Sequence, residues 1–577
     1  MTMDLGISTG LGLVLAISLF VLLTLKARAR LTLSRAKHRS LGGHSRLSRR
    51  IAALVPNYTF DDAHFFRADD ASAEIAGRRR AEFDRLSRLF RTRYQRTLQQ
   101  TAEAARHISD LQFTESYRVP FQFSRLAKAS FPMGSFLASS EGVKVTDLDG
   151  NASYDLTGSY GVNLLGYDFY KACMDRGAAR VGALGPVLGA YPSLVADNVA
   201  RLVRISGKDE VSFHMSGTEA VMQAVRLARY HTRRSRLVRL CGAYHGWWGD
   251  VQPGVGNPLP ANETYTLADM SEATLKVLRT RSDIACVLVN PSQALYPNHG
   301  APADSTLVHS RPDASVSREA YAAWLKELRA VCCERDIVLI FDEIFVGFRL
   351  ALGGAQEYFG VEADLVTYGK TVGGGLPIGV VCGDHKYMKR FRDDRPADVC
   401  FARGTFNSHP YVMAAMNEFL RHLDTPEMQA LYRDLDATWD RRTASLNRRL
   451  AEHGLPVQVT HMSSIWTVCY TRSSRYNWMF QYYLRAEGLA LSWIGTGRLI
   501  FSLNYSEADF EAVAERFITA AEAMRLGGWW EVGALGTDRA VKRRILREML
   551  GHYIASWKSG GRSPDGVVGA RPLDARL

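Results

Sequence analysis

The stretch Asp364-Leu365-Val366-Thr367-Tyr368-Gly369-Lys370-Thr371-Val372-Gly373-Gly374-Gly375 is the most informative part of this chain. Its first half is apolar, which predicts a buried strand, and its three glycines predict a tight turn. Lys370 therefore follows the end of a strand. A second apolar run, residues 336–341, predicts a buried parallel strand and leads into Asp342. Because ligands of α/β sheets bind outside the carboxyl ends of such strands, we expect Lys370 and Asp342 to share one site.

A third group lies upstream, where residues 211–215 predict a strand and residues 216–220, Ser-Gly-Thr-Glu-Ala, lead into a helical pattern. Free backbone N–H groups and the helix dipole make such a helix start an anion site. Taken singly, the three features are typical of a loop lysine, a surface carboxylate and an ordinary N-cap. Together, and in this order, they match the needs of pyridoxal phosphate. Those needs are an amine that binds it covalently, a carboxylate beside its ring nitrogen and a phosphate site.

The motifs around these residues resemble those of class III aminotransferases, in order and spacing, over roughly residues 134–517. Within that class the chain is most similar to the glutamate-1-semialdehyde aminomutase branch, and nearest to aminotransferase domains of polyketide and nonribosomal peptide assembly lines. The nearest similarity lies in residues 363–370 and 404–410. The motifs that carry the resemblance are Ser216-Gly217-Thr218-Glu219-Ala220, Tyr244-His245-Gly246, Asp342-Glu343-Ile344-Phe345-Val346-Gly347-Phe348-Arg349, Gly353-Gly354-Ala355-Gln356, Lys370 with Gly373-Gly374-Gly375-Leu376-Pro377-Ile378-Gly379, and Gly404-Thr405-Phe406.

The resemblance implies an α/β fold, the pyridoxal phosphate-dependent transferase fold of type I, with a large mostly parallel sheet domain and a small α+β domain. It implies that Lys370 binds the cofactor and moves a proton between substrate and cofactor, and that Asp342 holds the ring nitrogen. Tyr244 would stack on one face of the ring and Ile344 on the other, although both residues also suit simple core packing. His245 suits a structural hydrogen bond better than the role of an acid or base.

The same resemblance assigns the phosphate to two subunits. Ser216, Gly217 and Thr218 would hold it from one subunit, and Thr405 would reach it from the neighbouring subunit. The family likeness therefore predicts a homodimer with shared active sites.

The chain departs from the family pattern after the apolar strand at residues 284–289. Asn290-Pro291 stands where the family usually has Glu-Pro, and no second carboxylate occurs near Leu295. We infer a less acidic substrate pocket and a weaker case for a substrate that binds through two carboxylates. Residues 297–315 are rich in Pro, Asp, His and Ser and predict a surface loop. Arg498 is either a pocket residue or a surface residue.

The N-terminus carries a separate signal. Gly6–Leu25 contains no charge and has the ~20-residue length that crosses a bilayer, so the sequence predicts a single uncleaved transmembrane helix. A buried apolar helix is the alternative. Nine Lys and Arg residues follow between positions 26 and 50, which predicts that the catalytic part faces the cytoplasm from the inner membrane or another membrane.

The basic segment between positions 26 and 50 also accounts for much of the net charge of +13 and the pI near 9.3. Basic residues beside a membrane span are attracted to anionic lipid headgroups, by ~1 kcal/mol each, so membrane lipid is a predicted partner. No nucleic-acid-binding motif accompanies the charge, and nucleic acid is not a predicted partner. The eight cysteines show neither paired nor metal-like spacing and suit a reducing compartment; no metal site is predicted.

These signals divide the chain into six parts. They are a transmembrane anchor at 1–25, a basic and helical extension at 26–110, an N-terminal segment of the small domain at 111–169, a large cofactor-binding domain at 170–423, a C-terminal small domain at 424–527, and a basic helix with a disordered tail at 528–577.

The sequence leads to the hypothesis of a membrane-anchored aminotransferase. It would move an amino group from an amino acid donor to an aldehyde or ketone, with a lipophilic or carrier-bound acyl compound as the acceptor that best explains an anchor. One alternative is an aminomutase of the glutamate-1-semialdehyde type. The other, from a different class, is a catalytically silent scaffold, against which the retention of Lys370, Asp342 and Tyr244 argues.

Overall fold

The computed structural model describes residues 3–115, 119–259, 262–296, 310–311, 317–492, 497–531 and 536–558. Side chains are described from residue 14 onward, with positions 556 and 558 left out. The predicted loop at 297–315 and the predicted disordered tail therefore lie almost wholly outside the described residues.

The described residues contain twenty α-helices and sixteen strands. The helices are α1 (Met3–Ala36), α2 (Ser45–Leu54), α3 (Asp62–Phe65), α4 (Ala73–Arg93), α5 (Gln95–Ala105), α6 (Ser109–Glu115), α7 (Phe121–Ser130), α8 (Tyr167–Val181), α9 (Val195–Ser206), α10 (Gly217–Thr232), α11 (Glu272–Thr280), α12 (Arg318–Arg335), α13 (Gly354–Phe359), α14 (His385–Met388), α15 (Pro410–His422), α16 (Pro426–Arg433), α17 (Leu435–Glu452), α18 (Phe480–Ala486), α19 (Glu507–Leu526) and α20 (Asp538–Lys558). The strands are β1 (Leu137–Glu141), β2 (Lys144–Asp147), β3 (Ala152–Asp155), β4 (Glu210–His214), β5 (Arg236–Leu240), β6 (Thr264–Leu267), β7 (Ile284–Val289), β8 (Val338–Asp342), β9 (Leu365–Gly369), β10 (Gly379–Gly383), β11 (Phe391–Arg392), β12 (Arg395–Val399), β13 (Val457–Met462), β14 (Ile465–Tyr470), β15 (Leu489–Ala490) and β16 (Arg498–Ile500).

A seven-stranded sheet in the order β4-β10-β9-β8-β7-β5-β6 forms the centre of the molecule. Strand β10 is antiparallel to both of its neighbours, and the other described pairings are parallel. Every residue of β7, β8 and β9 is buried, as expected for strands covered on both faces. The predicted α/β class with a mostly parallel sheet is confirmed. In this sheet Asp342 pairs with Thr367, which places Asp342 near the turn that contains Lys370.

Three smaller sheets lie outside the central one in the described residues. One of them is the antiparallel pair of β11 and β12. Strands β13, β14 and β16 form an antiparallel sheet, and the β1-β2-β3 meander gains β15 from the C-terminal region as a fourth strand. Residues far apart in sequence thus share one sheet, since Leu489 pairs with Tyr154.

The N-terminal extension packs on the C-terminal region of the same chain. Arg79 of α4 is fully buried and binds both carboxylate oxygens of Asp69 at 2.7 Å, and it also donates to the carbonyl of Gly528. Phe65 and Phe83 form an aromatic cluster with Trp478, all of them buried. This part of the chain is therefore built into the body of the protein.

Helix α1 contains the predicted transmembrane segment Gly6–Leu25. Among the described residues, no helix is both long enough and apolar enough to cross a bilayer, so the predicted span is not supported. The side chains of residues 6–13, within that segment, lie outside the described set. The large apolar side chains described between Val14 and Leu25 are exposed.

Candidate active site

One cavity, of about 440 Å³, lies at the carboxyl ends of β8 and β9. Seven of the eight predicted site residues line it: Ser216, Gly217, Thr218, Tyr244, Asp342, Ile344 and Lys370. Ser216, Asp342 and Lys370, which lie far apart in sequence, meet here because strands β4, β8 and β9 share one sheet. The cavity is the site that the sequence predicts.

Asp342 is the last residue of β8 and is buried. Its Oδ2 lies 2.7 Å from Nδ1 of His245, which is also buried. Its Oδ1 accepts a hydrogen bond from the backbone N–H of Ile344 at 3.2 Å. Both oxygens are thus held in place, which orients the carboxylate within the cavity.

His245 stays neutral because burial lowers its pKa, although the hydrogen bond to Asp342 works in the opposite direction. A neutral imidazole that donates from Nδ1 stabilises the carboxylate without cancelling its charge. The structure therefore gives His245 the orienting role that its sequence context favoured. The sequence did not name Asp342 as its partner, since 97 positions separate the two residues.

Lys370 begins the turn after β9 and has a backbone φ of +50°, in the left-handed region. Burial lowers the pKa of its amine; Asp342 opposes that shift, and the buried Arg349 adds to it. A lower pKa leaves more of the amine uncharged, which is the nucleophilic form. Gly161 lies against the lysine stem, because a Cβ at that position would stand 3.1 Å from Lys370 Cδ.

The start of helix α10 forms the predicted anion site. Ser216 caps it by accepting from the N–H of Glu219 at 3.3 Å, and the first N–H groups of a helix have no partner within it. Two glycines allow the close packing around it. A Cβ on Gly217 would lie 2.8 Å from Ile344, and a Cβ on Gly246 would lie 2.4 Å from Thr218 Oγ1.

Asn290, which stands where the family pattern has glutamate, fixes the loop that carries Tyr244. Its Nδ2 donates to the Tyr244 carbonyl at 2.9 Å, and its Oδ1 accepts from the Ser292 hydroxyl at 2.7 Å. The Tyr244 side chain lines the cavity and is 60% exposed in the single chain. Its stacking on the cofactor ring stays a prediction.

Thr405 is the one predicted site residue that does not line the cavity. It is exposed on the turn that precedes α15. Its predicted role concerns the site of a neighbouring subunit, which a single chain does not contain, and so stays a prediction.

Arg498 lies nearer to the site than its sequence context alone established. Its guanidinium is 5.9 Å from the centre of the Phe345 ring, and Lys370 Nζ is 5.8 Å from the same ring. Phe345 lines the cavity. Burial lowers the pKa of Arg498.

The residues present fit pyridoxal phosphate. The amine of Lys370 suits its aldehyde, the buried carboxylate of Asp342 suits its ring nitrogen, and the glycine-packed start of α10 suits its phosphate. The fit rests on the donor set and the space that the glycines leave.

Comparisons with known proteins agree with this chemistry. The family model of aminotransferase class III matches residues 126–250 and 317–521, more than half of the chain. Glutamate-1-semialdehyde 2,1-aminomutase of Methanosarcina acetivorans is 32% identical over 379 residues, which cover 61% of this chain and 80% of that protein. The protein of the same name from Methanothermobacter thermautotrophicus is 33% identical over 360 residues, covering 59% and 78%.

Solved structures share the fold. One described as a transaminase with PLP bound superimposes with a TM-score of 0.58 at 26% identity, covering 71% of this chain and 96% of that one. A glutamate-1-semialdehyde aminomutase from Pseudomonas aeruginosa PAO1 gives a TM-score of 0.61 at 19% identity, covering 78% and 99%. The second likeness concerns the fold alone.

Gly246→Ala tests the phosphate cradle. Gly246 has a φ of +89°, and an added Cβ would collide with Thr218, so we expect cofactor affinity to fall by about tenfold or more, equivalent to about 1.4 kcal/mol. Gly150→Ala is the matched control, because Gly150 has a φ of +83° but no atom within 4 Å of an added Cβ. Fluorescence titration of cofactor-free protein with pyridoxal phosphate measures both affinities. An equal loss in the two variants contradicts the cradle.

Lys370→Met tests the cost of burying the amine. In the folded protein the lysine pKa is lowered from 10.5, so between the two pKa values the unfolded chain binds more protons. The free energy of unfolding of the wild type therefore rises with pH between these two pKa values. Below the lower pKa the full cost of burying the charged amine is present. We expect the cofactor-free variant to unfold at a higher temperature than wild type at neutral pH, with a difference that shrinks towards pH 10.5.

Lys276→Met is the control for this measurement, because Lys276 is exposed on α11. The change with pH of the Lys370→Met difference is measured relative to that of this variant. A Lys370→Met difference that varies with pH no more than the Lys276→Met difference contradicts a lowered Lys370 pKa.

Proposed function

We propose, from the premise that this chain belongs to the class III aminotransferases, that it transfers an amino group from an amino acid donor to an aldehyde or ketone acceptor. The predicted family, the type I fold and the pyridoxal phosphate dependence are confirmed. The observation that carries the proposal is the meeting of Lys370, Asp342 and the start of α10 in one cavity.

When bound, pyridoxal phosphate supplies a sink for the electrons released at the substrate carbon. The proposed roles of the protein groups follow from their places. The Lys370 amine attaches the cofactor and moves the proton at the substrate carbon. Asp342, held by His245, keeps the ring nitrogen protonated, and Tyr244 and Ile344 enclose the ring. Ser216, Gly217 and Thr218 hold the phosphate.

The lining of the cavity favours an apolar acceptor. Besides Lys370, which we assign to the cofactor, the described lining contains no Lys or Arg that would bind a substrate carboxylate. Its remaining side chains include Val162, Met215, Phe345 and Leu376. A lipophilic aldehyde or a carrier-bound keto-acyl group fits such a lining better than a dicarboxylate does. The nearer likeness to assembly-line aminotransferase domains stays a prediction.

An aminomutase is the second candidate, and the names of the curated relatives favour it. It differs from an aminotransferase in needing no external amino donor. The hypothesis of a catalytically silent scaffold is disfavoured, because one cavity is lined by the groups that are needed for pyridoxal phosphate chemistry.

An absorbance spectrum with added amino donors tests the function. Purified protein loaded with cofactor should show a band at ~420 nm that fades when the correct donor amino acid is added, because the amino group passes to the cofactor. Lys370→Ala should lack the band. A band that no amino acid discharges, together with turnover of an amino aldehyde alone, favours the aminomutase. A protein that takes up no cofactor contradicts both.

We also propose a homodimer with shared sites. Apolar side chains are exposed on the segment before α9, on the segment between β5 and β6 that carries Tyr244, and on the segment that contains Thr405, and exposed apolar surface of this kind marks an interface. They are Leu184, Val187, Tyr191, Tyr244, Trp247, Val255, Leu259, Phe391, Val399, Phe401 and Phe406. Covering them with a second copy would bring Thr405 to the partner's site.

Mixing two inactive variants tests the shared site. Lys370→Ala removes the amine, and Thr405→Glu places a negative charge beside the partner's phosphate. In a mixed dimer one site combines Lys370 of one chain with Thr405 of the other, so we expect co-refolded variants to regain activity that neither has alone. No recovery, with mixed dimers demonstrated by two affinity tags, contradicts sharing through Thr405.

Helix α1 is proposed to anchor the enzyme in a membrane, with the catalytic part in the cytoplasm. The support is the uncharged sequence of residues 6–25, the exposure of the apolar side chains described from Val14 onward, and the basic residues that follow. An anchored enzyme would meet a lipophilic acceptor where that acceptor resides.

Extraction of membranes with alkaline carbonate tests the anchor. Wild-type protein should stay in the membrane pellet, whereas Leu15→Arg/Leu19→Arg should be released, since each charge costs about 2.5–3.5 kcal/mol at the centre of a span. Release of the wild type under the same conditions contradicts a transmembrane anchor.

A further inference from the structure

Helix α20, Asp538–Lys558, is fixed to the body of the protein by one face. Glu548 pairs with the buried Arg475 at 2.6 and 2.9 Å, and Arg544 pairs with Asp70 at 3.0 Å. His552 stacks on Tyr58 with 4.2 Å between ring centres. The helix therefore has a set orientation, with its opposite face directed outward.

That outer face is apolar over the second half of the helix. Trp557 is 81% exposed and Leu546 is 63% exposed. The exposed apolar residues follow the spacing of a single helical stripe, which predicts one continuous surface. They are Leu546, Leu550, Tyr553, Ile554 and Trp557.

The first half of the same outer face is basic. Four exposed cations, Arg539, Lys542, Arg543 and Arg547, lie at helical spacings that put them beside the apolar stripe. The ion pairs described for α20 involve Arg544 and Glu548, on the inner face. The outer cations are thus left to face solvent or a partner.

We propose that the outer face of α20 binds the surface of an anionic membrane. Helices that lie in the interface bury Leu, Ile and Trp among the lipid chains while Lys and Arg contact the headgroups. Each cation near anionic lipid contributes about 1 kcal/mol. The apolar stripe suits the lipid chains, and the four neighbouring cations are complementary in charge to anionic headgroups.

A second copy of the chain fits this face less well. Two-fold symmetry would bring the same patch onto itself, so the four cations would lie against the apolar stripe of the second copy or against their own copies, and both arrangements are unfavourable. The apolar surface near Thr405 already offers a separate place for a second copy. In an anionic membrane, the lipid chains would contact the apolar half of the α20 face and the headgroups would contact the basic half.

This inference rests on the membrane location proposed above and deepens it. Helix α2 exposes Leu47 and Leu54 together with Arg46 and Arg50. Leu54 is four residues before Tyr58, on which His552 of α20 stacks, so Leu54 lies within about 15 Å of the residue that contacts α20. Contact through α20 does not require α1 to cross the bilayer.

A fluorescent label at position 557 tests this contact in the full-length protein. Trp557→Cys is made in a Cys333→Ser background and labelled with the environment-sensitive dye NBD; the seven other cysteines are buried. Vesicles of phosphatidylcholine alone are compared with vesicles that contain about 30% phosphatidylglycerol. The emission should shift to the blue with anionic vesicles, and the shift should weaken at high salt. NBD on the native Cys333, exposed on α12, should not respond.

Leu546→Glu/Leu550→Glu, combined with the label at 557, should lose the shift while binding pyridoxal phosphate normally. If the labelled protein floats with vesicles but the emission at 557 does not change, the α20 contact is wrong and the α1 anchor stands. If the shift occurs on anionic vesicles in Leu15→Arg/Leu19→Arg protein as well, the contact holds without the anchor. A shift that grows with protein concentration in the absence of lipid indicates a second copy and overturns the inference.

Discussion

The hydrogen bond between His245 Nδ1 and Asp342 Oδ2, 2.7 Å long and buried, is the interaction on which the site depends. A carboxylate removed from water stays ionised only where nearby donors replace the lost solvent. A protonated histidine would neutralise Asp342, but burial lowers the pKa of His245 and keeps the imidazole uncharged. The cofactor ring can then receive the full negative charge of Asp342. The parallel pairing of β8 with β9 sets Lys370 beside it.

The site holds several features that cost stability, and neighbouring groups accommodate each one. Lys370 occupies a left-handed conformation that is unfavourable for a side chain with a Cβ. Arg349 is a fully buried cation whose guanidinium is held mainly by carbonyls, including that of Phe501 at 2.6 Å and that of Asn163 at 3.2 Å. Those carbonyls belong to the C-terminal strand region and to the loop before α8, so Arg349 ties both to the central sheet. The same cation lowers the pKa of Lys370. Arg349 therefore both holds these segments together and lowers the pKa of the Lys370 amine.

The local part of the site was predictable from the sequence. Lys370 and the run from Ser216 to Thr218 each follow a strand and Asp342 ends one, and strand, turn and helix patterns depend on residues close in the chain. Contacts between residues that are far apart in the chain have no local pattern that would predict them. These include His245 with Asp342, Arg498 beside Phe345, and the buried pair of Asp69 and Arg79 that joins the N-terminal extension to Gly528. The proposed role of Thr405 concerns a second chain. The outward face of α20 follows from the pairing of its inner face with Arg475 and Asp70, which are distant from it in the sequence.

We propose that Asp342, oriented by a neutral His245, keeps the ring nitrogen of pyridoxal phosphate protonated. The most direct measurement is the nitrogen-15 chemical shift of the enzyme loaded with cofactor labelled at that nitrogen. We expect a protonated ring nitrogen in the wild type at neutral pH, and loss of that proton in Asp342→Asn. In His245→Phe, where the carboxylate loses its fixed donor, the proton should leave at a lower pH than in the wild type. An unprotonated ring nitrogen in the wild type, or a chemical shift that Asp342→Asn leaves unchanged, would contradict this role of Asp342.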